Sequence, residues 1–408
     1  MRTLFVILAC SLWVQISRAQ DWFSVKAKIN GKPVQLVLDT GCEPGLALFR
    51  HASERLKLKL QAGERRNADR IPYWFTEECT VKLPWSFWGF ARGKGQLTVI
   101  EIPSYSRQFI NMDGAVGWPI VSQRVLELDA AEQKFRFIRR VPKQATGWTR
   151  LALQTNAPWG RVLALQLPQP DGTKEVIFVD TGSTFGVGLP PQKWVKWKTA
   201  HANQPITFVA AYGPAPGMHV LEQSLATNIA LGPMGLTDVV VGESGPMPRE
   251  DLPADQTVTL GMAALKRLDF VIDGKSGVAY LRPKRTPVQA PSAESDRPAL
   301  VFVPRDAKSD DLVAHVLDGS SAYQAGIRNG DLLLQLDERA VADWRANPGG
   351  HWRIKPDHPF IVASTNNPPG TRIEMTLKRG DETLKTAVDL KEIAIFAPQT
   401  NSPSSRSK

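Results

Sequence analysis

Short runs in which apolar and polar residues alternate, separated by turn dipeptides, recur along most of the chain. The segment FSVKAKINGKPVQLVLD (23–39) alternates on both sides of Asn30-Gly31, a dipeptide that favours the positive backbone angles of a tight hairpin turn. The segment RVLALQLPQPDGTKEVIFVD (161–180) has the same form around Asp171-Gly172. A period of two residues is typical of β-strands, so both segments are predicted to be hairpins.

Helical patterns are confined to short segments. FRHASERLKL (49–58) and PPQKWVKWKTAHA (190–202) each follow a predicted hairpin and are predicted helices, whereas GQLTVIEI (95–102) and GLTDVVVG (235–242) are predicted strands. The sequence therefore predicts a mostly β protein with a few short helices.

One pattern occurs twice in the first 283 residues. Each predicted hairpin ends in an aspartate that is followed by Thr-Gly, and the shared register continues through AVGWPIVSQRVLELD and TLGMAALKRLDFVID. The matched positions are Asp39 with Asp180, Gly45 with Gly186, Leu48 with Leu189, Gly117 with Gly261, and Asp129 with Asp273. A unit of about 140 residues is thus repeated.

Length and composition are those of a globular protein with two or three domains, at 408 residues, 42% apolar and 22% charged. The net charge of +10 is scattered without a zinc-finger or basic-helix pattern, so we interpret it as a solvated surface and predict no nucleic-acid binding. The six histidines lack paired metal-ligand spacing and the cysteines form no CxxC, so no metal or other cofactor is predicted.

The N-terminus has the three parts of an export signal, namely Arg2, an apolar stretch from Leu4 to about Ile16, and the small-residue ending Ser17–Ala19. Cleavage there would release a periplasmic or extracellular protein. A lipid anchor at Cys10 is the alternative, although it would leave SLWVQI exposed. The apolar stretch is shorter than the roughly 20 residues that span a bilayer, so no transmembrane segment is predicted.

An aspartate at the end of an apolar strand places a carboxylate at the edge of a core, where it is poorly solvated. The glycine behind it lets the backbone turn and offer N–H groups to the carboxylate, and threonine can hydrogen-bond to a partner loop. Two such loops facing each other hold like charges too close for both to ionise, so one carboxyl keeps a proton while the other can take one from water. This is an acid–base pair for hydrolysing a peptide bond with water. A single Asp-Thr-Gly would be read as an ordinary turn, but a pair in register is not expected by chance.

The duplicated pattern resembles the two-lobed aspartic proteases of the pepsin and retropepsin type over the first 283 or so residues. In that family each lobe supplies one Asp-Thr-Gly loop, and a later apolar-apolar-glycine segment threads beneath it. Ala115-Val116-Gly117 and Thr259-Leu260-Gly261 occupy that later place. The resemblance implies that Asp39 and Asp180 are the catalytic dyad, with two threonines locking the loops together and a serine supporting its own carboxylate. The supporting residues that it implies are Thr40, Gly41, Thr181, Gly182 and Ser183.

Two features of this resemblance leave alternatives open. Cys42 stands where the family usually has Ser, Thr or Ala, and we interpret it as a small buried apolar residue, with a redox role or a disulfide to Cys79 as alternatives. The family also covers its substrate with a flap hairpin. The candidates are TFVAAYGPAPGMHVLEQ, which contains Tyr212, and its first-copy counterpart PYWFTEECTVKLPW, which contains Trp74.

The remaining chain predicts a third unit after a proline-, serine- and charge-rich linker. LVFV and DLVAHVL are predicted strands, SSAYQAGI is a short helix capped by Ser320, and NGDLLLQLD is another strand. Together with PGTRIEMTLKRGDETLKTAVDL they resemble a PDZ domain, a fold that binds an extended peptide beside its second strand. The carboxylate-binding loop is expected between Val303 and Leu312, where PRDAKSDD has no glycine, so substrate recruitment and a structural or partner-docking role both stay open.

The sequence thus predicts an exported, bacterial aspartic endopeptidase made of two similar acid-protease-type β-barrel lobes followed by a PDZ-like α+β domain. Its expected partners are a peptide or protein substrate and a peptide or protein ligand of the third unit. The alternative is a non-catalytic peptide-binding or scaffold protein that keeps the protease fold. The predicted boundaries are 1–19 for the signal peptide, 20–143 and 144–283 for the lobes, 284–298 for the linker, 299–395 for the PDZ-like domain and 396–408 for a disordered tail.

Overall fold

The computed structural model describes residues 22–62, 76–79, 82–87, 91–95, 97–100, 112–156, 159–169, 171–213, 217–244, 257–284, 299–305, 311–341 and 370–390. Within these ranges the chain is mostly β, with curled sheets and a few short helices, as the sequence predicts. The expected signal peptide and tail, and almost all of the expected linker, lie outside them. Across the described ranges no helix combines the length and apolarity needed to span a membrane.

The first sheet contains nine described strands and is accompanied by two short helices. The strands are β1 (Ser24–Ile29), β2 (Lys32–Asp39), β3 (Leu46–Phe49), β4 (Leu60–Ala62), β5 (Thr76–Cys79), β6 (Leu83–Phe87), β7 (Ala91–Gly95), β8 (Thr98–Ile100) and β9 (Gly114–Gly117). The helices are α1 (Arg50–Leu56) and α2 (Trp118–Val121). Across the sheet the order is β4-β5-β8-β3-β9-β2-β1-β6-β7, so β7 is an edge strand.

The second sheet contains twelve described strands. They are β10 (Val125–Asp129), β11 (Lys134–Ile138), β12 (Thr149–Leu153), β13 (Ala164–Pro168), β14 (Lys174–Val179), β15 (Val187–Leu189), β16 (Thr207–Gly213), β17 (Gly217–Leu231), β18 (Met234–Glu243), β19 (Val258–Leu260), β20 (Leu268–Asp273) and β21 (Val278–Pro283). The accompanying helices are α3 (Pro191–Ala200), α4 (Met262–Leu265) and two 3-10 helices at Lys143–Gly147 and Trp159–Arg161. The order is β11-β10-β20-β21-β12-β13-β14-β19-β15-β18-β17-β16.

The two predicted hairpins form where the turn residues indicate. β1 and β2 pair from Ser24 with Val37 to Ile29 with Lys32, and Asn30 and Gly31 both have positive φ, 48° and 76°. The second hairpin joins β13 to β14 through residues 169–173, and there Gly172 has a positive φ of 82°. Its connection is longer than the two-residue turn of the first hairpin, so the two turns are not equivalent.

The repeat seen in the sequence is also a repeat of strand topology. In the first copy β9 lies parallel to β2 and antiparallel to β3, while β3 is parallel to β8. In the second copy β19 lies parallel to β14 and antiparallel to β15, while β15 is parallel to β18. The short helices α2 and α4 follow β9 and β19 directly, and α1 and α3 follow β3 and β15 closely. The same chain path therefore brings each Asp-Thr-Gly loop to the same place in its copy.

The two copies are joined by strands that come from both. β10 of the first copy pairs antiparallel with β20 of the second, from Val125 with Asp273 to Leu128 with Phe270. Lys284 adds an ion pair on each side, 3.0 Å from Asp129 and 3.3 Å from Asp269. One continuous hydrophobic core contains residues of both copies. The copies thus form one packed body.

The third unit has a sheet and a core of its own. Its strands are β22 (Leu300–Pro304), β23 (Leu312–Val316), β24 (Leu332–Leu336), β25 (Arg339–Ala340), β26 (Arg372–Arg379) and β27 (Glu382–Asp389), and its helix is α5 (Ser321–Gln324). The order is β22-β23-β24-β26-β27, with β25 paired to β24. Ser320 caps α5 as predicted, because its hydroxyl accepts a hydrogen bond from the Tyr323 N–H at 3.1 Å. The buried Asp331 carboxylate binds Arg379 through two hydrogen bonds of 2.7 Å.

Candidate active site

The two Asp-Thr-Gly loops have the same local geometry. Asp39 ends β2 and Asp180 directly follows β14, so each carboxylate lies where a buried strand leaves its sheet. The N–H of Gly41 donates to Asp39 Oδ1, and the N–H of Gly182 donates to Asp180 Oδ1, both at 2.8 Å. Each loop therefore fixes its own carboxylate with the glycine two residues later.

The loops also approach each other closely. A Cβ atom built on Gly41 would lie 2.7 Å from Asp180 Oδ1, and one built on Gly182 would lie 2.6 Å from Asp39 Oδ2. Each carboxylate thus lies against the glycine of the opposite loop, and Asp39 and Asp180 share a side-chain hydrogen bond. Glycine is required at both positions because a methyl group would overlap the partner's carboxylate.

Thr40 and Thr181 join the loops through four hydrogen bonds, and each threonine donates two of them to the opposite copy. Thr40 Oγ1 donates to the carbonyl oxygen of Val179 and Thr181 Oγ1 donates to that of Leu38, both at 2.7 Å. In return the N–H of Thr40 donates to Thr181 Oγ1 at 3.0 Å, and the N–H of Thr181 donates to Thr40 Oγ1 at 3.1 Å. Both threonines are fully buried, so no water competes for these bonds.

Burial and mutual repulsion shift the acidity of the carboxyl pair. Burial raises the pKa of Asp39 well above its ordinary 3.8, and the negative charge of Asp180 and the hydrogen bond between the two side chains raise it further. Burial also raises the pKa of Asp180, but the N–H groups of Gly182 and Ser183 and the hydrogen bond from Asp39 oppose that rise. Both pKa values are therefore raised, and that of Asp39 is raised more strongly.

Two further glycines support the loops from behind. The N–H of Gly117 donates to the carbonyl oxygen of Gly45, and the N–H of Gly261 to that of Gly186, both at 2.9 Å. A Cβ atom on Gly117 would lie 2.1 Å from the carbonyl oxygen of Pro44, so only glycine fits there. The apolar-apolar-glycine segments thus lie directly against the loops.

Ser183 shapes the second loop mainly through main-chain contacts. Its N–H donates to the main-chain carbonyl oxygen of Asp180 at 3.3 Å, and its hydroxyl accepts a hydrogen bond from the N–H of Phe185 at 3.3 Å. The resemblance implies that this serine supports the carboxylate of its own lobe, whereas the hydroxyl here contacts the main chain of the loop. A side-chain hydroxyl at this position is therefore used for the shape of the loop.

Cys42, at the matching position of the first loop, has a free thiol. It packs against a small apolar cluster that includes Val37, Ala47 and Met112, and its Sγ lies 3.5 Å from the carbonyl oxygen of Pro44. Burial raises the pKa of the thiol well above its ordinary value, and the nearby negative charges of Asp39 and other acids add to that rise. The thiol is therefore neutral at physiological pH, which agrees with its interpretation as a small apolar residue.

One ion pair beside the site escaped the sequence analysis. Glu43, next to Cys42, lies 3.3 Å from Arg161 at the end of the second 3-10 helix, and so links the first loop to the second copy. The N–H of Leu163 reinforces this link by donating to the carbonyl oxygen of Thr40 at 3.0 Å. Neither contact has a sequence signature, because the partners are more than a hundred residues apart and lie outside the repeated positions.

The two candidate flaps have different outcomes. β16 and β17 form a hairpin that is paired from Thr207 with Gln223 to Gly213 with Gly217, and Tyr212 lies on its β16 strand near the tip. In the first copy β5 and β6 lie in different parts of the first sheet. The topological counterpart of β16–β17 is the pair β4–β5, whose connection, including Trp74, lies outside the described residues. That Tyr212 or Trp74 belongs to a flap over the substrate stays a prediction.

Comparisons with known proteins were made for the sequence and for the fold. No protein-family model matches the sequence, and no curated protein matches it. Among solved structures the chain is similar to the crystal structure of an aspartic proteinase from Irpex lacteus, with a TM-score of 0.39 and 15% identity, over 65% of this chain and 95% of that chain. The functional interpretation therefore depends on the geometry of the two aspartate loops. In the described part of the chain, no group of three or more His, Cys, Asp or Glu side chains is arranged to hold a metal ion.

Proposed function

We propose that the chain is an aspartic endopeptidase in which Asp39 and Asp180 activate water to hydrolyse a peptide bond. The observation that carries the proposal is the close approach of two carboxyl groups that come from repeated loops and lie against each other's glycine. The buried threonine bonds support it, because they fix the separation of the carboxyl groups before substrate arrives.

The proposed reaction uses the single shared proton. Asp180 accepts a proton from water as the hydroxyl adds to the peptide carbonyl carbon, while Asp39 gives its proton to the carbonyl oxygen. In the second step Asp180 passes the acquired proton to the amide nitrogen as the C–N bond breaks, and Asp39 recovers a proton from a hydroxyl of the intermediate. The products are a carboxylic acid and an amine, and the pair returns to its starting state.

The test replaces each carboxyl group by an amide of the same shape. Asp39→Asn and Asp180→Asn should each lower kcat for hydrolysis of an unfolded protein at mildly acidic pH by roughly 100- to 10,000-fold, because a general acid or base is lost. Asp318→Asn, on an exposed turn of the third unit, is the matched control and should leave kcat unchanged. Unchanged hydrolysis in both dyad variants would reject the assignment. Peptide binding without cleavage by the unaltered chain would favour a non-catalytic scaffold that keeps the fold.

We further propose that the third unit is a PDZ-like module that docks a peptide of the substrate or of a partner. The support is a five-strand order with a capped short helix before β24, together with the Asp331–Arg379 pair that secures the start of that strand. In a fluorescence titration, an extended peptide with a free C-terminus and the same peptide amidated distinguish binding of the terminal carboxylate from strand addition alone. A PDZ-like module should bind an extended peptide by strand addition, and saturation with neither peptide form would contradict the proposal. Export to the periplasm or the cell exterior completes the proposal, in line with the apolar N-terminal stretch.

A further inference from the structure

The outward face of β1, β6 and β7 carries charge of one sign only. Burial alternates along β1, where Val25, Ala27 and Ile29 are buried and the residues between them are exposed. The in-register pairing of β1 with β6 and of β6 with β7 continues this outward side across three strands to the edge of the first sheet. Its cations are Lys26, Lys28, Arg92 and Lys94, and together with Lys82, directly before β6, they form what we call the basic face.

The basic face contains a row of hydrogen-bond donors. Lys28 pairs with Ser86, and Ser86 pairs with Arg92, so the three side chains lie side by side on adjacent strands. Adjacent strands are about 4.8 Å apart, which places the backbones of Lys28 and Arg92 roughly 10 Å from each other with a hydroxyl between them. A shallow depression of about 540 Å³ lies at this row, and Lys28, Pro84, Ser86 and Arg92 are among the residues that line it.

The basic face has no counter-charge of its own. The sequences of β1, β6 and β7 contain neither Asp nor Glu, and none of the five cations forms an ion pair with another residue of the described ranges. Elsewhere many cations are paired, as in Lys193 with Glu175 and Arg136 with Glu127. Like charges on neighbouring strands repel, so the face is stabilised when an external anion neutralises it.

We propose that the basic face docks this protein onto a membrane surface rich in anionic phospholipid. The cations form a two-dimensional array over three strands, which matches a plane of headgroups better than it matches one extended acidic chain. A headgroup phosphate enters the depression, where Lys28 and Arg92 neutralise its charge and the Ser86 hydroxyl donates a hydrogen bond to it.

The experiment measures partition of the full chain onto vesicles of phosphatidylcholine alone and of phosphatidylcholine with phosphatidylglycerol. Every variant is measured on both vesicle types, so the inference rests on the difference between the two. Lys28→Gln/Arg92→Gln should reduce partition onto the anionic vesicles by roughly 25-fold, since each cation near an anionic surface contributes about a fivefold effect. Lys143→Gln/Lys196→Gln removes the same net charge from exposed cations elsewhere and is the matched control.

The expected result is a preference for anionic vesicles that salt weakens between about 0.05 M and about 0.5 M, that free inorganic phosphate does not abolish, and that the control variant retains. An equal loss in the control variant would assign the binding to net charge and overturn the proposal. Loss of vesicle binding to millimolar phosphate, or tight binding to soluble polyglutamate with no preference for anionic vesicles, would also overturn it. Peptidase activity is not used as a readout, so the outcome is independent of the proposed function.

Discussion

Asp39 and Asp180 occupy equivalent loops, yet the pKa values of their carboxyl groups are raised to different extents. Each accepts a hydrogen bond from the glycine two residues later, and each lies against the glycine of the opposite loop. Burial raises both pKa values; the charge of Asp180 raises that of Asp39 further, whereas the N–H groups of Gly182 and Ser183 oppose the rise at Asp180. In the proposed mechanism this difference makes Asp39 the acid and Asp180 the base.

The raised pKa of Asp39 has a consequence for stability that does not require catalysis. A carboxyl whose pKa is higher in the folded state than in the unfolded state stabilises the fold below the unfolded pKa, and that contribution is lost as pH rises through the folded pKa. The pKa of Asp39 is raised well above its ordinary 3.8, so ionising the pair at neutral pH opposes folding. Asp39→Asn keeps a neutral donor beside Asp180 and should make the protein more stable than the unaltered chain at neutral pH, with the gain disappearing at acidic pH.

Urea unfolding of both proteins from about pH 4 to about pH 8 measures this gain. Asp318→Asn should show no difference that depends on pH, because that residue lies on an exposed turn. If Asp39→Asn were less stable at neutral pH, or if the difference were the same at every pH, the carboxyl at this position would not be the buried, protonated member of a pair.

At the scale of elements, the sequence predicts structure wherever local chemistry decides it. The Asn30-Gly31 turn, the Ser320 cap and the helix α3 follow from residues that are close together in the chain, and all three are confirmed. The approach of the two loops was also foreseen, because a duplicated unit brings equivalent loops to equivalent places. What local pattern does not contain is which distant strands pair.

The pairing of β10 with β20 illustrates this limit. Both strands belong to the matched segments of the repeat, but nothing in either segment indicates that they pair with each other. The positions of β5 and β6 illustrate it too, since these strands follow each other in the chain but lie in opposite parts of the first sheet. The acceptors of the threonine bonds are the main-chain carbonyls of Leu38 and Val179, whose identity no side-chain pattern reveals.

At the scale of the whole molecule, two kinds of contact hold the copies together, and they differ in how far they are buried. Near the proposed dyad the copies meet through the buried bonds of Thr40 and Thr181, and away from it they share a sheet and the ion pairs of Lys284. The partly exposed ion pairs are screened by solvent and contribute little each. The threonine bonds lie where water is absent, so a partner left unpaired there bears its full desolvation cost.

Thr181→Val should therefore lower the free energy of unfolding by about 2–4 kcal/mol, because it leaves the Leu38 carbonyl and the Thr40 N–H buried without their partner. Thr181→Ser keeps the hydroxyl and should restore most of the loss. Thr146→Val removes a 2.7 Å bond to the Lys143 carbonyl on an exposed 3-10 helix, and should cost less than about 0.5 kcal/mol.

Thr40 and Thr181 act in one network, so the double variant Thr40→Val/Thr181→Val should lose less stability than the sum of the two single losses. Denaturant unfolding of the unaltered chain, the two single variants and the double variant measures that coupling. Additive losses would mean that each hydroxyl acts only within its own loop, and the two copies would then be held together by the shared sheet and core instead.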